Sequence, residues 1–375
     1  MLPSYLNPDL AVGADNKQGW NQPSQRRAGF HTAHLVFRRT MMVRSRRVLK
    51  LALTPDAVIA ARVHTSGLTA HPAFSALVVA KGSDILFESA AADFATNRVH
   101  SIQSVSKMHM HLIVGELVAA GRIGVKDRIG DLLPWVGSAY RCAMVQDVLD
   151  MNVENDFSED YGNPEADCYR EEEALGWRLP QGCAPEVLLR EFIASLTGGD
   201  LANRSGYARY KSANTDVLTL LTASLVDLPA RIEAIADAAG YENAFHISLS
   251  PEHLPAFSGG GCLSARDLAR FGLLLAREGR AVFGPQVGSA DFLRASLSRS
   301  APLLGPKRGA IRYSNHLMTN GRWIGHAGYG GQFVMIDTQS GRVAAFLSVL
   351  ENDSGYDDDY MSLVIAHLEA ITCGC

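Results

Sequence analysis

No run of apolar residues in this sequence approaches the roughly 20 needed to cross a bilayer as a helix, so a membrane partner is not expected. The first twenty residues lack a charged segment leading into an apolar stretch and a small-residue cleavage site. A cytoplasmic location is therefore expected. Cysteine is sparse. Cys142, Cys168, Cys183, Cys262, Cys373 and Cys375 are scattered, and a chain of 375 residues does not need disulfides to hold its core. Neither sign of charge dominates: 35 Lys and Arg face 39 Asp and Glu, a formal net charge of -4, which argues against a general nucleic-acid binder. A Gly-rich phosphate loop and a dinucleotide fingerprint are both missing, so no cofactor is expected. Internal repeats, heptads and low-complexity tracts are missing too.

What is present is ordinary globular material, 47% hydrophobic and 20% charged, enough for one large domain or two closely joined ones. Residues 1–70 read as an irregular extension packed on the core, rich in Arg and Pro, with one helix near 44–62. Arg26, Arg27, Arg38, Arg39, Arg44, Arg46, Arg47 and Lys50 crowd this stretch. They fit either contact with an anionic partner or a solvated arm, and the solvated arm is the reading taken. Phe74–Ala80 and Ile85–Ser89, joined by Lys81-Gly82-Ser83-Asp84, read as a hairpin, and Gln332–Asp337 with Arg342–Leu350 reads as a second pair of strands. Segments near 104–121, 145–151, 185–196, 214–227, 229–240, 265–279 and 360–370 carry apolar residues at helical intervals. The class expected is α/β of the α+β kind. Residues 71–145 and 300–375 would form a discontinuous sheet domain, and 146–299 a mostly helical insertion, with a groove between them for a site.

Three short elements carry chemistry. In Ser104-Val105-Ser106-Lys107, residues three apart share a helix face, so the amine of Lys107 comes near the hydroxyl of Ser104. A serine needs a base, and a desolvated lysine supplies one. At a helix start, the N–H of Ser104 is also available to an oxyanion. In Tyr210-Lys211-Ser212-Ala213-Asn214, a tyrosine hydroxyl near an ammonium has a lowered pKa and can shuttle protons. Ser212 and Asn214 are placed to bond Lys107 or a substrate, though either would equally serve as a helix N-cap. In Gly325-His326-Ala327-Gly328-Tyr329-Gly330-Gly331, the glycines allow close approach of a ligand to an edge strand, and the N–H of Tyr329 is a second oxyanion donor. His326 reads as a supporting residue that contacts the substrate or the tyrosine.

Taken together, in this order, the three elements resemble the serine β-lactamase and penicillin-binding-protein superfamily. Its motifs are Ser-x-x-Lys, Tyr-x-Asn or Tyr-x-Ser, and Lys-Thr-Gly or His-x-Gly. The similarity is greatest to its class C-like branch of esterases and 6-aminohexanoate-dimer hydrolases. Further stretches carry that likeness: Gly19–Pro23, Asp147–Met151, Ser158–Pro164, Ala174–Arg178, Ser212–Leu218 and Ala265–Arg270. The resemblance implies a β-lactamase-like fold, an antiparallel sheet flanked by helices with an inserted helical domain. It implies an acyl-enzyme on Ser104, proton exchange through Lys107 and Tyr210, and an oxyanion hole from the N–H groups of Ser104 and Tyr329. Tyr161 would close over the substrate, and Ser212, Asn214, Ser258, His326 and Gly328 would contact it.

The sequence also departs from the pattern. Bulky Met108 and His109 follow Lys107, and Ser258 stands where the aminohexanoate-dimer enzymes have a substrate-binding asparagine. The expected function is therefore hydrolysis of short acyl esters and small amides, the partner being that small-molecule substrate, with a homodimer admitted. The alternatives are a β-lactamase or D-Ala-D-Ala peptidase-like enzyme and, from another class, a slowly acylated penicillin-binding-like sensor. A metal enzyme is disfavoured, because His109 and His111 lie two apart on a helix and point in different directions. Cys373-Gly374-Cys375 reads as an incidental tail.

Overall fold

The computed structural model describes residues 16–180 and 184–374, so Cys183 and Cys375 lie outside the described residues. In chain order the strands are β1 (Thr40–Val43), β2 (Ala52–Leu53), β3 (Phe74–Lys81), β4 (Asp84–Ala90), β5 (Val99–Ser101) and β6 (Phe245–Ser248). There follow β7 (Gly261–Ser264), β8 (Arg312–Ser314), β9 (Leu317–Thr319), β10 (Trp323–Gly328), β11 (Gln332–Asp337) and β12 (Arg342–Ser348). The large sheet has eight strands in the order β2-β4-β3-β12-β11-β10-β9-β8. Its pairings are antiparallel except for the short parallel β2–β4 edge.

Alternation along the central strands sorts their side chains into two cores. Ala76, Val78 and Ala80 of β3, Val334 and Ile336 of β11, and Val343 and Ala345 of β12 face one side. Leu77, Val79, Phe333, Met335, Ala344 and Phe346 face the other. Successive strand residues point to opposite faces, and because both faces are covered the strands read as unbroken apolar runs. Helix Ala265–Ala276 covers the first face, touching β3, β11 and β12. It begins on a Ser264 N-cap that accepts from Asp267 N at 3.1 Å. It lies at glycine distance, since a Cβ on Gly272 would fall 2.4 Å from Val343 Cγ1. Helices Ala57–Ser66 and Asp358–Cys373 pack on the second face.

The first core runs on into the helical part, where Met108–Ala119, Val145–Leu149 and Leu189–Ser195 surround Ser212–Ala223. The segment 146–299 is not helical throughout, however. It holds β6 and β7, which form a four-stranded sheet in the order β1-β6-β7-β5, and its helix Ala265–Ala276 belongs to the large sheet.

The N-terminal stretch differs most from expectation. Instead of one helix near 44–62 there are helix Pro23–Val36, β1, β2 and helix Ala57–Ser66. Asp56 caps the last of these, accepting from Val58 N and Ile59 N at 2.8 and 3.0 Å. Pro55 ahead of it biases the chain to extended backbone, so no helix runs through. Strand β1 forms because Thr40–Val43 pairs with β6, some two hundred residues away, which no local pattern reveals. Four of the eight basic residues meet acids of the same chain: Arg27 meets Asp93, Arg38 and Arg39 meet Glu186, and Arg46 meets Asp237. Among the described residues no helix is long and apolar enough to cross a membrane.

Candidate active site

The turn bearing Ser104 is held from three sides. After β5 the chain enters a 3₁₀ helix, Gln103–Lys107, which continues as Met108–Ala119. This refines the expected α-helix from 104. In a 3₁₀ turn residues three apart eclipse, which stacks Lys107 directly over Ser104. Gln103 sits at φ 47, a costly position for a residue with a side chain, at about 1–3 kcal/mol. Its Nε2 donates to Ser101 Oγ at 2.7 Å, its carbonyl accepts from Ser106 Oγ at 2.6 Å, and Ser106 Oγ in turn accepts from Gly261 N at 2.9 Å. Residues 105–107 are buried and Ser104 alone of this motif reaches the surface.

The Lys107 amine donates to Ser104 Oγ and Ser212 Oγ, both at 3.0 Å, and to the carbonyl of Ser258. It lies 5.1 Å from the centre of the Tyr210 ring. Burial pushes this amine below the usual lysine range, opposed by the charges of Glu159, Glu171 and Asp216. A neutral amine three ångströms from a serine hydroxyl is a general base in position. The Tyr210 hydroxyl lies within hydrogen-bonding reach of Ser104. Its own hydroxyl is not lowered as expected: burial and the charge of Glu159 push it well above the ordinary tyrosine value, outweighing the Ser104 contact. The ammonium that would have lowered it is itself disfavoured here.

Ser104 opens into a cavity of about 740 Å³, and Tyr161, Tyr210, Gly328 and Tyr329 lie on its wall. Tyr161 donates to Glu159 Oε1 at 3.2 Å, and its ring centre lies 5.5 Å from that of Tyr329. Tyr329 is propped from behind by the N-terminal segment. The buried Arg26 guanidinium lies 5.6 Å from its ring while donating to the carbonyls of Leu350 and Asn352 at 2.9 and 2.5 Å.

The structure does not bring four of the expected substrate contacts to the cavity wall. Ser212 Oγ bridges Lys107 to Glu159 Oε1, donating to the carboxylate at 2.8 Å. Asn214 points into the helical core, where it accepts from the Tyr140 hydroxyl at 2.8 Å and donates to Val148 O at 3.2 Å. Ser258 is buried and offers its carbonyl to Lys107. His326 is buried on β10, pairing with the Tyr313 hydroxyl at 2.9 Å, and burial pushes it down to about 3. Tyr313 in turn lies edge-on to Tyr210, ring centres 5.8 Å apart. The glycines after His326 serve the chain's own packing. β10 lies between β9 and β11 and is no edge strand, and a Cβ on Gly328 would fall 2.6 Å from Ile102 O. His109 and His111 diverge: the first stacks between Phe245 and Phe271, and the second bonds Asn315 O at 2.9 Å.

Sequence reasoning missed Glu159 and the outer wall of the cavity. Glu159 lies in the quoted stretch Ser158–Pro164, where no local pattern singles it out; it takes both the N–H and the hydroxyl of Ser212. The outer wall comprises Leu304, Met318, Met361 and Ile365, with Lys307 and Arg308 at its rim.

A β-lactamase family profile matches residues 220–366. The chain is 31% identical over 239 residues to the 6-aminohexanoate-dimer hydrolase of Paenarthrobacter ureafaciens, an alignment covering 60% of this chain and 58% of that one. Among solved structures it is similar to a Bacillus anthracis protein provisionally described as a 6-aminohexanoate-dimer hydrolase. That likeness has a TM-score of 0.80 at 18% identity and covers 99% of this chain and 98% of the other. A family VIII carboxylesterase follows the same fold with a TM-score of 0.60 at 14% identity, over 85% of this chain and 99% of its own. A match to the β-lactamase family thus covers residues 220–366, and nearly the whole chain shares the fold of these solved structures.

Proposed function

We propose that this protein is a serine hydrolase that works through an acyl-enzyme on Ser104, acting on short acyl esters and on small amides such as aminohexanoate oligomers. The observation that carries the reading is the 3.0 Å contact of the buried Lys107 amine with Ser104 Oγ at the base of a cavity. Lys107, whose neutral form burial favours, takes the Ser104 proton as Oγ adds to the substrate carbonyl. The N–H groups of Ser104 and Tyr329 receive the oxyanion, and the Tyr210 hydroxyl, protonated at neutral pH, hands a proton to the leaving group. Water then attacks the acyl-enzyme by the same steps in reverse order, restoring Ser104. A cytoplasmic setting and a small-molecule partner belong to the same proposal.

A panel of p-nitrophenyl esters, 6-aminohexanoate dimer and nitrocefin tests it. Sustained turnover of the esters that vanishes in Ser104→Ala is the expected result. A burst of nitrophenol without turnover would point to a slowly acylated sensor. Failure on every substrate would remove the proposal.

A further inference from the structure

Beside the Lys107 site, and not on the cavity wall, two carboxyl groups are buried against each other. Glu171, in helix Asp167–Ala174, is 2% exposed, and Asp216, one turn after Ser212 in helix Ser212–Ala223, is fully buried. Their side chains lie within hydrogen-bonding reach. Yet Glu171 Oε1 and both oxygens of Asp216 receive no well-aligned hydrogen bond from any donor among the described residues, although the Ser258 hydroxyl lies beside Asp216. Ionised carboxylates only accept hydrogen bonds, so two of them cannot face each other in a dry interior without a proton between them.

The groups facing this pair are few. Lys107 and Glu159 lie on the cavity side, Tyr140 and Tyr161 flank it, and Cys168 sits a turn before Glu171. Glu172, the next acid, is already engaged by Lys17 and Arg178. Lys107 is therefore the cation closest in role to the pair, and both carboxyls act on its amine through space.

We propose that Glu171 and Asp216 share one proton, and that the resulting buried anion is a positioning device that sets the proton affinity of Lys107. The proposal rests on the acyl-transfer reading of Ser104. Glu171 holds the proton and donates it to Asp216, which keeps one negative charge near the lysine. When Lys107 takes the Ser104 proton it becomes an ammonium in a site where burial disfavours that form, and the pair's charge stabilises it. Both carboxyls are pushed upward by burial, Glu171 well above its ordinary value with the Asp216 and Glu159 charges adding to the effect.

Two variants separate the proton from the charge. Glu171→Gln replaces the shared O–H with an amide donor and keeps the charge on Asp216. The double variant Glu171→Gln/Asp216→Asn removes the charge, since a single remaining carboxyl could carry it. The acid limb of kcat/KM for p-nitrophenyl acetate should stay in place in E171Q and move about one unit to lower pH in the double variant, because the lysine loses its counter-charge. Infrared difference spectra of the folded protein should show a protonated-carboxyl band at neutral pH that E171Q abolishes. The same band must be present in S104A, so it reads the pair even if the acyl-transfer reading fails. An E171Q limb displaced as far as that of the double variant, or a neutral-pH spectrum from which E171Q removes no protonated-carboxyl band, would overturn the proposal.

Discussion

The two walls around Ser104 differ in kind. The inner wall presents Glu159 to the cavity; behind it Lys107 and Ser212 are buried and joined to it by hydrogen bonds, with Glu171 and Asp216 buried beside them. The outer wall, built by Leu304, Met318, Met361 and Ile365 with Lys307 and Arg308 at the rim, is largely apolar and comes from a loop, β9 and the C-terminal helix. On the proposed mechanism the inner wall would set protonation and geometry, and the outer wall would set which acyl or leaving group fits.

The comparison can be broken by substitutions on either wall. The largest effect is expected from the inner one: Ser104→Ala or Lys107→Ala should lower kcat/KM for p-nitrophenyl acetate by at least about a thousandfold with little change in melting temperature. Equal activity in either variant would mean that the chemistry lies elsewhere. Tyr210→Phe, which removes the proton shuttle but keeps the ring, should cost about a hundredfold in kcat, more for amides than for activated esters. The pH dependence has a definite sign. If the neutral amine of Lys107 is the base, as proposed, burial lowers its pKa and activity should rise as pH increases through that pKa and be lost on the acid side. A rate flat from about pH 5 to 9 in a chemistry-limited assay would contradict that assignment. The smallest effect belongs to the outer wall. Ile365→Trp or Met318→Trp should change the preferred chain length, raising KM for long acyl esters roughly tenfold while leaving kcat for acetate within a few-fold. If these two variants instead abolished turnover of acetate, the division between the walls would fail.

The inner wall was the more legible in sequence, and the reason is physical. Ser104 and Lys107 are brought together by the local geometry of one helical turn, so spacing alone predicts their contact, and the 3₁₀ form only tightens it. Tyr210 reaches them because Ser212–Ala223 packs on Met108–Ala119, a tertiary event that the resemblance supplied and the periodicity did not. Ser258, Asn214 and His326 show the limit of such transfer: each is expected to contact the substrate, but each turns its side chain into the interior. The outer wall was illegible because its residues come from separate stretches, 304–308, 318 and 354–365, whose meeting depends on strand pairing at the β8–β10 edge. Arg26 was misjudged with its basic neighbours for the same reason. Nothing local distinguishes it from Arg27, yet it is 2% exposed and clamps the carbonyls of Leu350, Asn352 and Asp353 behind Tyr329.

The most direct test of the account is to trap the intermediate. Acid quench of the enzyme during turnover of a p-nitrophenyl ester, followed by peptide mass analysis, should find one acyl group on the peptide containing Ser104. The adduct should be absent in Ser104→Ala. Turnover with no adduct, or an adduct on any other residue, would contradict an acyl-enzyme formed on Ser104.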